Sequence, residues 1–184
     1  YEKAAAHERL TYDEGVALLT EGDTHILAAL GHRRRMHLHP EMKVTYIVER
    51  NINYTNSCVT YCRFCAFYRA PGDPEGYLLP KDEIGRKIEE TLALNGTGVL
   101  MQGGVNPDLP LSYYVDLLHF LRDAYPAIHR HCFSPPEIKF IAKKERMSFY
   151  DVIGVLKEAG LMSIPGGGAE ILSDAIRKEV LAYP

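Results

Sequence analysis

Three cysteines within eight residues carry the strongest chemical signal in the sequence. Cys58, Cys62 and Cys65 have the spacing C-x3-C-x2-C in the segment NYTNSCVTYCRFCAFY. Three thiolates this close can hold three irons of a cubane iron–sulfur cluster. Because no fourth cysteine lies nearby, one iron of such a cluster is left open to bind another molecule. The spacing therefore predicts a catalytic cluster with an open iron.

Two other kinds of cysteine site fit the sequence less well. A structural zinc site needs four nitrogen or sulfur ligands, typically from two separated pairs, and the second pair is missing. Cys132 lies far along the chain, and although His129 and His131 are beside it, the spacing is not that of a zinc motif. An electron-transfer ferredoxin needs four cysteines, commonly with the last one before proline. We expect Cys132 to be a buried apolar residue.

The cysteine loop is predicted to follow the first strand of a chain that alternates strands and helices. From Lys43 the side chains alternate, with Val44, Tyr46 and Val48 on one side, which indicates a strand. The elements that follow are a helix at 80–96, a strand at 98–104, a helix at 111–126, a strand at 127–134, a Pro-led helical turn at 135, a Ser148-capped helix at 149–160, a strand at 161–165 and a helix from Ala169. This order predicts parallel pairing, as in a (β/α) barrel or a doubly wound sheet.

The first 42 residues are predicted to be helical instead. Thr11 and Glu14 form a capping-box signature, and Asp23 or Thr24 can begin a second helix that runs through Leu30. The arginines and histidines that follow indicate a solvated helix end. We therefore expect an N-terminal helical segment at 1–42 and, at 43–184, the N-terminal part of an α/β barrel whose C-terminal part is absent.

Polar and glycine residues follow the second and third predicted strands, where the loops of parallel sheets build active sites. Gln102, Gly103 and Gly104 end the second strand, and residues without a Cβ let a ligand approach the backbone. Ser134 and Glu137 follow the third strand and could face a ribose or a carboxylate. Two structural alternatives stay open: the glycines could form a plain turn, and Ser134 with the prolines after it could simply start a helix.

Composition favours a small-molecule partner. The formal net charge of -3 gives no reason to expect nucleic acid or an anionic membrane. No run of about 18 apolar residues is present, and the first residues lack the apolar stretch of a secretory signal. Three clustered cysteines also suit a reducing compartment. These features predict one cytoplasmic globular domain.

The spacing C-x3-C-x-aromatic-C, with Phe64 before the third cysteine, resembles that of the radical S-adenosylmethionine (SAM) superfamily. The resemblance implies a partial TIM-like (β/α) barrel with a [4Fe-4S] cluster on the three cysteines. It further implies that SAM chelates the open iron and that one electron from the cluster cleaves it to a 5′-deoxyadenosyl radical. The cofactor-binding residues expected on this basis are Tyr68, Gln102, Gly103, Gly104, Ser134 and Glu137.

Within the superfamily, the runs RNINYTN, CRFCAFYRAPG, LMQGGVNPDLPLSYY, FSPPEI and LMSIPGGGAEIL look like those of the dehypoxanthine futalosine cyclases of menaquinone biosynthesis. The resemblance implies cyclisation of dehypoxanthine futalosine after hydrogen abstraction, with flavodoxin or ferredoxin as electron donor. His131 and Glu170 are the candidate catalytic residues, because either could accept the proton that the reaction releases. The alternatives are an aminofutalosine synthase, an F0 synthase, and a non-catalytic metal-binding module.

Overall fold

The computed structural model describes residues 1–166 and 171–180. The chain divides into two compact units, Tyr1–Tyr46 and Ile47–Pro184. The sequence predicts a boundary between residues 42 and 43. Residues 43–46, which lie between the predicted and the observed boundary, belong to the segment expected to be a strand.

The first unit is helical. It contains α1, α2 and α3, which span Glu2–Ala5, Tyr12–Glu21 and Thr24–Leu38. The predicted capping box is present, because the Glu14 amide donates to Thr11 Oγ1 at 3.3 Å and the Thr11 amide donates to Glu14 Oε2 at 2.8 Å. Asp23 caps α3 by accepting two backbone hydrogen bonds. The helix continues past Leu30, so the arginine tract lies within its exposed last turns.

The second unit is built on three parallel strands in the order β1-β2-β3. These strands span Glu49–Ile52, Gly98–Met101 and His129–Cys132. Glu49 pairs with Gly98, which in turn pairs with His129. The helices of this unit are α4 Lys81–Ala93, α5 Leu111–Ala124, α6 Pro135–Glu145, α7 Phe149–Ala159 and α8 Asp174–Val180. The predicted parallel α/β arrangement is confirmed.

The first strand begins later than predicted. Val44 and Tyr46 alternate with polar residues but are 79% and 86% exposed, outside any strand. Pairing with β2 begins where the Thr97 amide donates to the carbonyl of Val48. The expected strand start at Lys43 is therefore wrong, because an alternating pattern predicts which side chains share a face but does not supply a partner strand.

The fourth predicted strand is reduced to one residue. Ser163 forms a single parallel bridge with His131, and residues 161–165 form no strand beyond it. The amides of Met162 and Ser163 both donate to the carbonyl of Arg130, so the regular ladder stops there. The last helix begins at Asp174, and residues 171–173 before it are not helical. The sequence predicts a start at Ala169, which lies outside the described residues.

The two faces of the sheet differ sharply in burial. The helix-facing side is apolar and fully buried at Ile52, Val99, Met101 and Cys132. It packs against buried core side chains of α5 and α7, which include Tyr114, Leu117, Leu118, Leu121, Val152 and Leu156. Cys132 is thus the buried apolar residue that the sequence predicts. The opposite face, which is the interior face of a (β/α) barrel, is polar and partly open.

Among the described residues, no helix is both long enough and apolar enough to cross a membrane.

Candidate active site

A pocket of about 420 Å³ lies at the carboxyl ends of the three strands. Segments that follow β1, β2 and β3, together with Gly166, form its walls. The lining residues include Asn53, Thr55, Asn56, Cys58, Cys65, Phe67, Tyr68, Tyr77, Gln102, Gly103, Gly104, Ser134, Pro136 and Gly166. The pocket is where a parallel α/β sheet binds ligands, at the ends of strands rather than between helices.

The cysteine loop is fixed at its base by backbone pairing with the segment that returns from it. The Cys58 amide donates to the carbonyl of Arg69 at 2.9 Å, and the Arg69 amide donates to the carbonyl of Asn56 at 2.8 Å. Asn56 extends this pairing with its side chain, which donates to the Glu75 carbonyl and accepts from the Tyr77 amide. The loop therefore leaves and rejoins the barrel at a defined point beside the pocket.

The three cysteine side chains of this loop are half-buried. Cys58 Sγ accepts hydrogen bonds from the amides of Thr60 and Val105, at 3.4 and 3.3 Å. Amide donors of this kind stabilise a thiolate and help to set the reduction potential of an iron–sulfur cluster. The cysteine loop and the segment after β2 therefore each donate one hydrogen bond to Cys58 Sγ.

The packing of the protein itself leaves no room for a side chain at Gly103 or Gly104. A Cβ on Gly103 would lie 2.5 Å from the Tyr54 ring, and a Cβ on Gly104 would lie 2.2 Å from the Ser57 carbonyl oxygen. The Gly104 amide donates to the carbonyl of Thr55 at 2.8 Å, which ties this segment to the base of the cysteine loop. The two glycines therefore bring the segments after β1 and β2 together at the pocket.

Glu137 lies beneath the pocket at the start of α6 and is 1% exposed. Its Oε1 accepts hydrogen bonds from the Tyr54 hydroxyl and, at 3.2 Å, from the Gly103 amide. Its Oε2 accepts from the Ser134 hydroxyl at 2.6 Å. One buried carboxyl thereby links residues that follow each of the three strands.

Burial raises the pKa of the Glu137 carboxyl to about 7, because the ionised form loses its hydration. The hydrogen bonds from Ser134, Tyr54 and the Gly103 amide act in the opposite direction and limit the rise. Burial also raises the pKa of the Tyr54 hydroxyl well above its ordinary value. Tyr54 therefore stays neutral and serves as a hydrogen-bond donor to Glu137.

The structure brings most of the predicted site residues to one place. Tyr68, Gln102 and Ser134 line the pocket together with the two glycines. Glu137 lies behind the wall and positions its neighbours, and His131 lies one residue before the end of β3 on the open face of the sheet. Glu170 lies outside the described residues. The ligand-binding and catalytic roles of all these residues stay predictions.

The sequence patterns did not single out Tyr54 or Asn56, although both hold the site together. Tyr54 is fully buried and contacts Phe133 and Tyr114 edge-on, with ring centroids 6.1 and 6.3 Å away. Phe133 itself has a φ of +65°, a strained backbone for a bulky residue that turns the chain toward Ser134. The only local signal for Asn56 is a polar residue in a segment that starts at a strand end.

A family model for the radical SAM superfamily matches residues 52–182 of this chain. The chain belongs to the radical SAM superfamily. The match begins in β1 and includes the cysteine loop and every strand-end segment of the pocket. Membership of this superfamily implies a [4Fe-4S] cluster and SAM as cofactors.

Two curated proteins with different reactions in their names are similar to most of this chain. A cyclic dehypoxanthine futalosine synthase of Halalkalibacterium halodurans is 48% identical over 179 residues, covering 97% of this chain and 48% of the relative. A Methanopyrus kandleri 5-amino-6-(D-ribitylamino)uracil–L-tyrosine 4-hydroxyphenyl transferase is 40% identical over 171 residues, covering 91% of this chain and 46% of the relative. The chain thus spans about half the length of the curated relatives it matches.

Solved structures support the same fold. The hydrogenase maturase HydG aligns with a TM-score of 0.58 at 18% identity, over 90% of this chain and 45% of HydG. Methylornithine synthase (PylB) aligns with a TM-score of 0.56 at 16% identity, over 90% of this chain and 57% of that protein. The parallel strands and flanking helices of the second unit are therefore those of a partial radical SAM barrel.

The donor set of the cysteine loop fits an iron–sulfur cluster. Each thiolate of a three-cysteine cubane binds a different iron, so the sulfurs need not converge on one point. Within residues 1–166 and 171–180, no three His, Cys, Asp or Glu side chains converge closely enough to hold a single metal ion. Burial raises the pKa of the Cys132 thiol far above its ordinary value, which makes that thiol a poor fourth ligand.

Proposed function

We propose that the protein containing this chain is a radical SAM enzyme that cyclises dehypoxanthine futalosine in menaquinone biosynthesis. The observation that carries the proposal is the opening of the C-x3-C-x2-C loop onto a pocket at the strand ends, with Cys58 and Cys65 among its walls. The substrate assignment rests on the 48% identity to the Halalkalibacterium halodurans synthase. Both parts are consistent with the runs of residues that resemble this enzyme family.

In this proposal Cys58, Cys62 and Cys65 hold the [4Fe-4S] cluster, and SAM occupies the adjoining pocket. The bound cluster and SAM supply the radical that removes a hydrogen atom from the substrate, with an electron from a flavodoxin or ferredoxin. Gln102, Tyr68 and Ser134 offer polar groups to the ligand at the pocket wall.

Tyr54 and Glu137 support this site from beneath the pocket, and Gly103 and Gly104 form part of its wall. They fix the segments after β1, β2 and β3 relative to one another, so that cluster, SAM and substrate meet in one geometry. Such positioning is the main catalytic task when one molecule must react with itself, because two parts of the substrate have to be held in contact. The chain's own residues then have to accept the proton that is released when the new ring system forms.

The competing assignment is the 4-hydroxyphenyl transferase activity of the Methanopyrus kandleri relative. The complete protein, reconstituted anaerobically with iron and sulfide, should be given SAM, dithionite and either dehypoxanthine futalosine or a mixture of tyrosine and 5-amino-6-(D-ribitylamino)uracil. We expect only dehypoxanthine futalosine to be consumed and to stimulate 5′-deoxyadenosine formation. Consumption of tyrosine with no effect of dehypoxanthine futalosine would contradict the cyclase assignment.

A further inference from the structure

Two histidines and a serine form a hydrogen-bonded cluster on the open face of the sheet. His129 and His131 are two residues apart on β3, and both side chains are half-buried. His129 Nε2 and His131 Nδ1 each lie 2.7 Å from Ser163 Oγ, which comes from the following segment. The hydroxyl thus bridges two imidazole rings whose centroids are 6.2 Å apart.

The two hydrogen bonds of this cluster must run in the same direction, from one histidine through the serine to the other. A serine hydroxyl carries one hydrogen, so it can donate to only one of the two rings and must accept from the other. If His131 donates from Nδ1, its Nε2 keeps a free lone pair and the serine donates to His129 Nε2. In the opposite direction His131 Nε2 carries the hydrogen and cannot accept a proton. Only the first arrangement lets His131 serve as a base.

The location suits a base for the proposed reaction. Catalytic residues of (β/α) barrels come from the carboxyl ends of several strands. His131 lies one residue before the end of β3, and His129 lies deeper on the same face. Glu49 of β1 supplies a charged group close to the deeper ring. Gly98 pairs with both Glu49 and His129, and a Cβ on Gly98 would lie 2.7 Å from Glu49 Oε1 and 3.2 Å from His129 Cβ.

We propose that His131, Ser163 and His129 form a relay for the proton that cyclisation releases. This inference rests on the proposed function. His131 Nε2 takes the proton from the substrate, the Nδ1 proton of His131 moves to Ser163 Oγ, and the serine proton moves to His129 Nε2. One proton enters and one positive charge ends on His129, near the Glu49 carboxylate, so the proton transfer is balanced. Restoring the aromatic ring also removes one electron, which the oxidised [4Fe-4S] cluster of the proposed enzyme would accept. Ser163 and His129 are positioning residues that act through His131.

The test separates hydrogen abstraction from proton removal. Ser163→Ala, Ser163→Thr, His129→Gln and the exposed control His32→Gln are made in the complete protein and reconstituted with cluster, SAM and dehypoxanthine futalosine. The measured quantity is the ratio of cyclised product to 5′-deoxyadenosine across pH. We expect this ratio to fall at least about tenfold in Ser163→Ala and His129→Gln, since general acid–base catalysis is worth about 10²–10⁴.

Ser163→Thr keeps the hydroxyl and should restore much of the ratio, and His32→Gln should match the parent protein. An unchanged ratio in Ser163→Ala and His129→Gln would overturn the relay and leave the cyclase assignment standing. Failure of the parent protein to form product from dehypoxanthine futalosine would instead overturn the proposed function, and the relay with it.

A second readout does not depend on turnover. Nitrogen-15 NMR of the oxidised, cluster-loaded protein reports which nitrogen of each ring carries hydrogen. We expect His131 to carry its hydrogen on Nδ1 in the parent protein and to shift toward Nε2 in Ser163→Ala. A parent protein with the His131 hydrogen on Nε2 would overturn the relay.

Discussion

Replacing Glu137 with glutamine should change how the stability of the protein depends on pH. The carboxyl is 1% exposed, and burial raises its pKa from 4.5 to about 7. Below about pH 4.5 the group is protonated in both the folded and the unfolded chain. As the pH rises toward 7 the unfolded chain loses this proton and the folded chain keeps it, so the free energy of unfolding falls.

The size of the effect follows from the pKa difference. Each pKa unit corresponds to about 1.4 kcal/mol, so Glu137 lowers the free energy of unfolding by about 3 kcal/mol between pH 4.5 and a pH above 7. Glutamine has no proton to lose in this range and should remove that part of the pH dependence. Its amide oxygen can still accept from the Tyr54 hydroxyl and the Gly103 amide, so the fold should persist.

Urea unfolding followed by far-UV circular dichroism measures this directly. The parent protein, Glu137→Gln and the exposed control Glu158→Gln are compared at about half-unit intervals between pH 4.5 and 8. We expect the stability of Glu137→Gln relative to the parent to increase by about 3 kcal/mol across this range, and the control to show no such trend. If the free energies of unfolding of Glu137→Gln and the parent protein differed by the same amount at every pH, the argument that burial raises the pKa of Glu137 would be refuted.

Two further substitutions test how the site is assembled. Gly104→Ala should abolish most iron binding after reconstitution, because the new Cβ would lie 2.2 Å from the Ser57 carbonyl oxygen and 2.9 Å from Cys58 Cβ. Gly154→Ala, which meets no atom within 4 Å, is the matched control, and full iron content in Gly104→Ala would contradict the packing argument. Asn56→Ala should lower the free energy of unfolding by about 1–3 kcal/mol, since it leaves the Glu75 carbonyl and the Tyr77 amide without their side-chain partner. A loss below about 0.5 kcal/mol in urea unfolding would show that Asn56 does not hold the return segment of the loop.

The features that the sequence predicts well are encoded locally. The spacing of Cys58, Cys62 and Cys65 indicates the cluster site without any tertiary information. Helix starts at Asp23 and Ser148 follow from side chains that cap the helix within three residues. Apolar residues at helical spacing on α5 likewise predict its buried face.

The features that the sequence does not predict depend on distant partners. Tyr54 bonds to Glu137, 83 residues away, and no local pattern connects them. The alternating residues around Val44 and Tyr46 have the pattern of a strand but pair with no other strand. The observed β1 has the sequence ERNI, which does not alternate between apolar and polar residues. Gly103 was predicted to make room for a ligand, and the structure shows that the Tyr54 ring also requires its missing side chain.

The most direct test of the central claim is the metal and sulfide content of the anaerobically reconstituted protein, measured together with SAM cleavage on reduction. We expect about four irons and four sulfides per chain and 5′-deoxyadenosine after dithionite is added. Cys62→Ala should lose both, while Cys132→Ala should keep both because that thiol is buried on the other side of the sheet. One equivalent of zinc without sulfide, or SAM cleavage that survives in Cys62→Ala, would contradict the assignment of the cysteine loop as the radical-generating site.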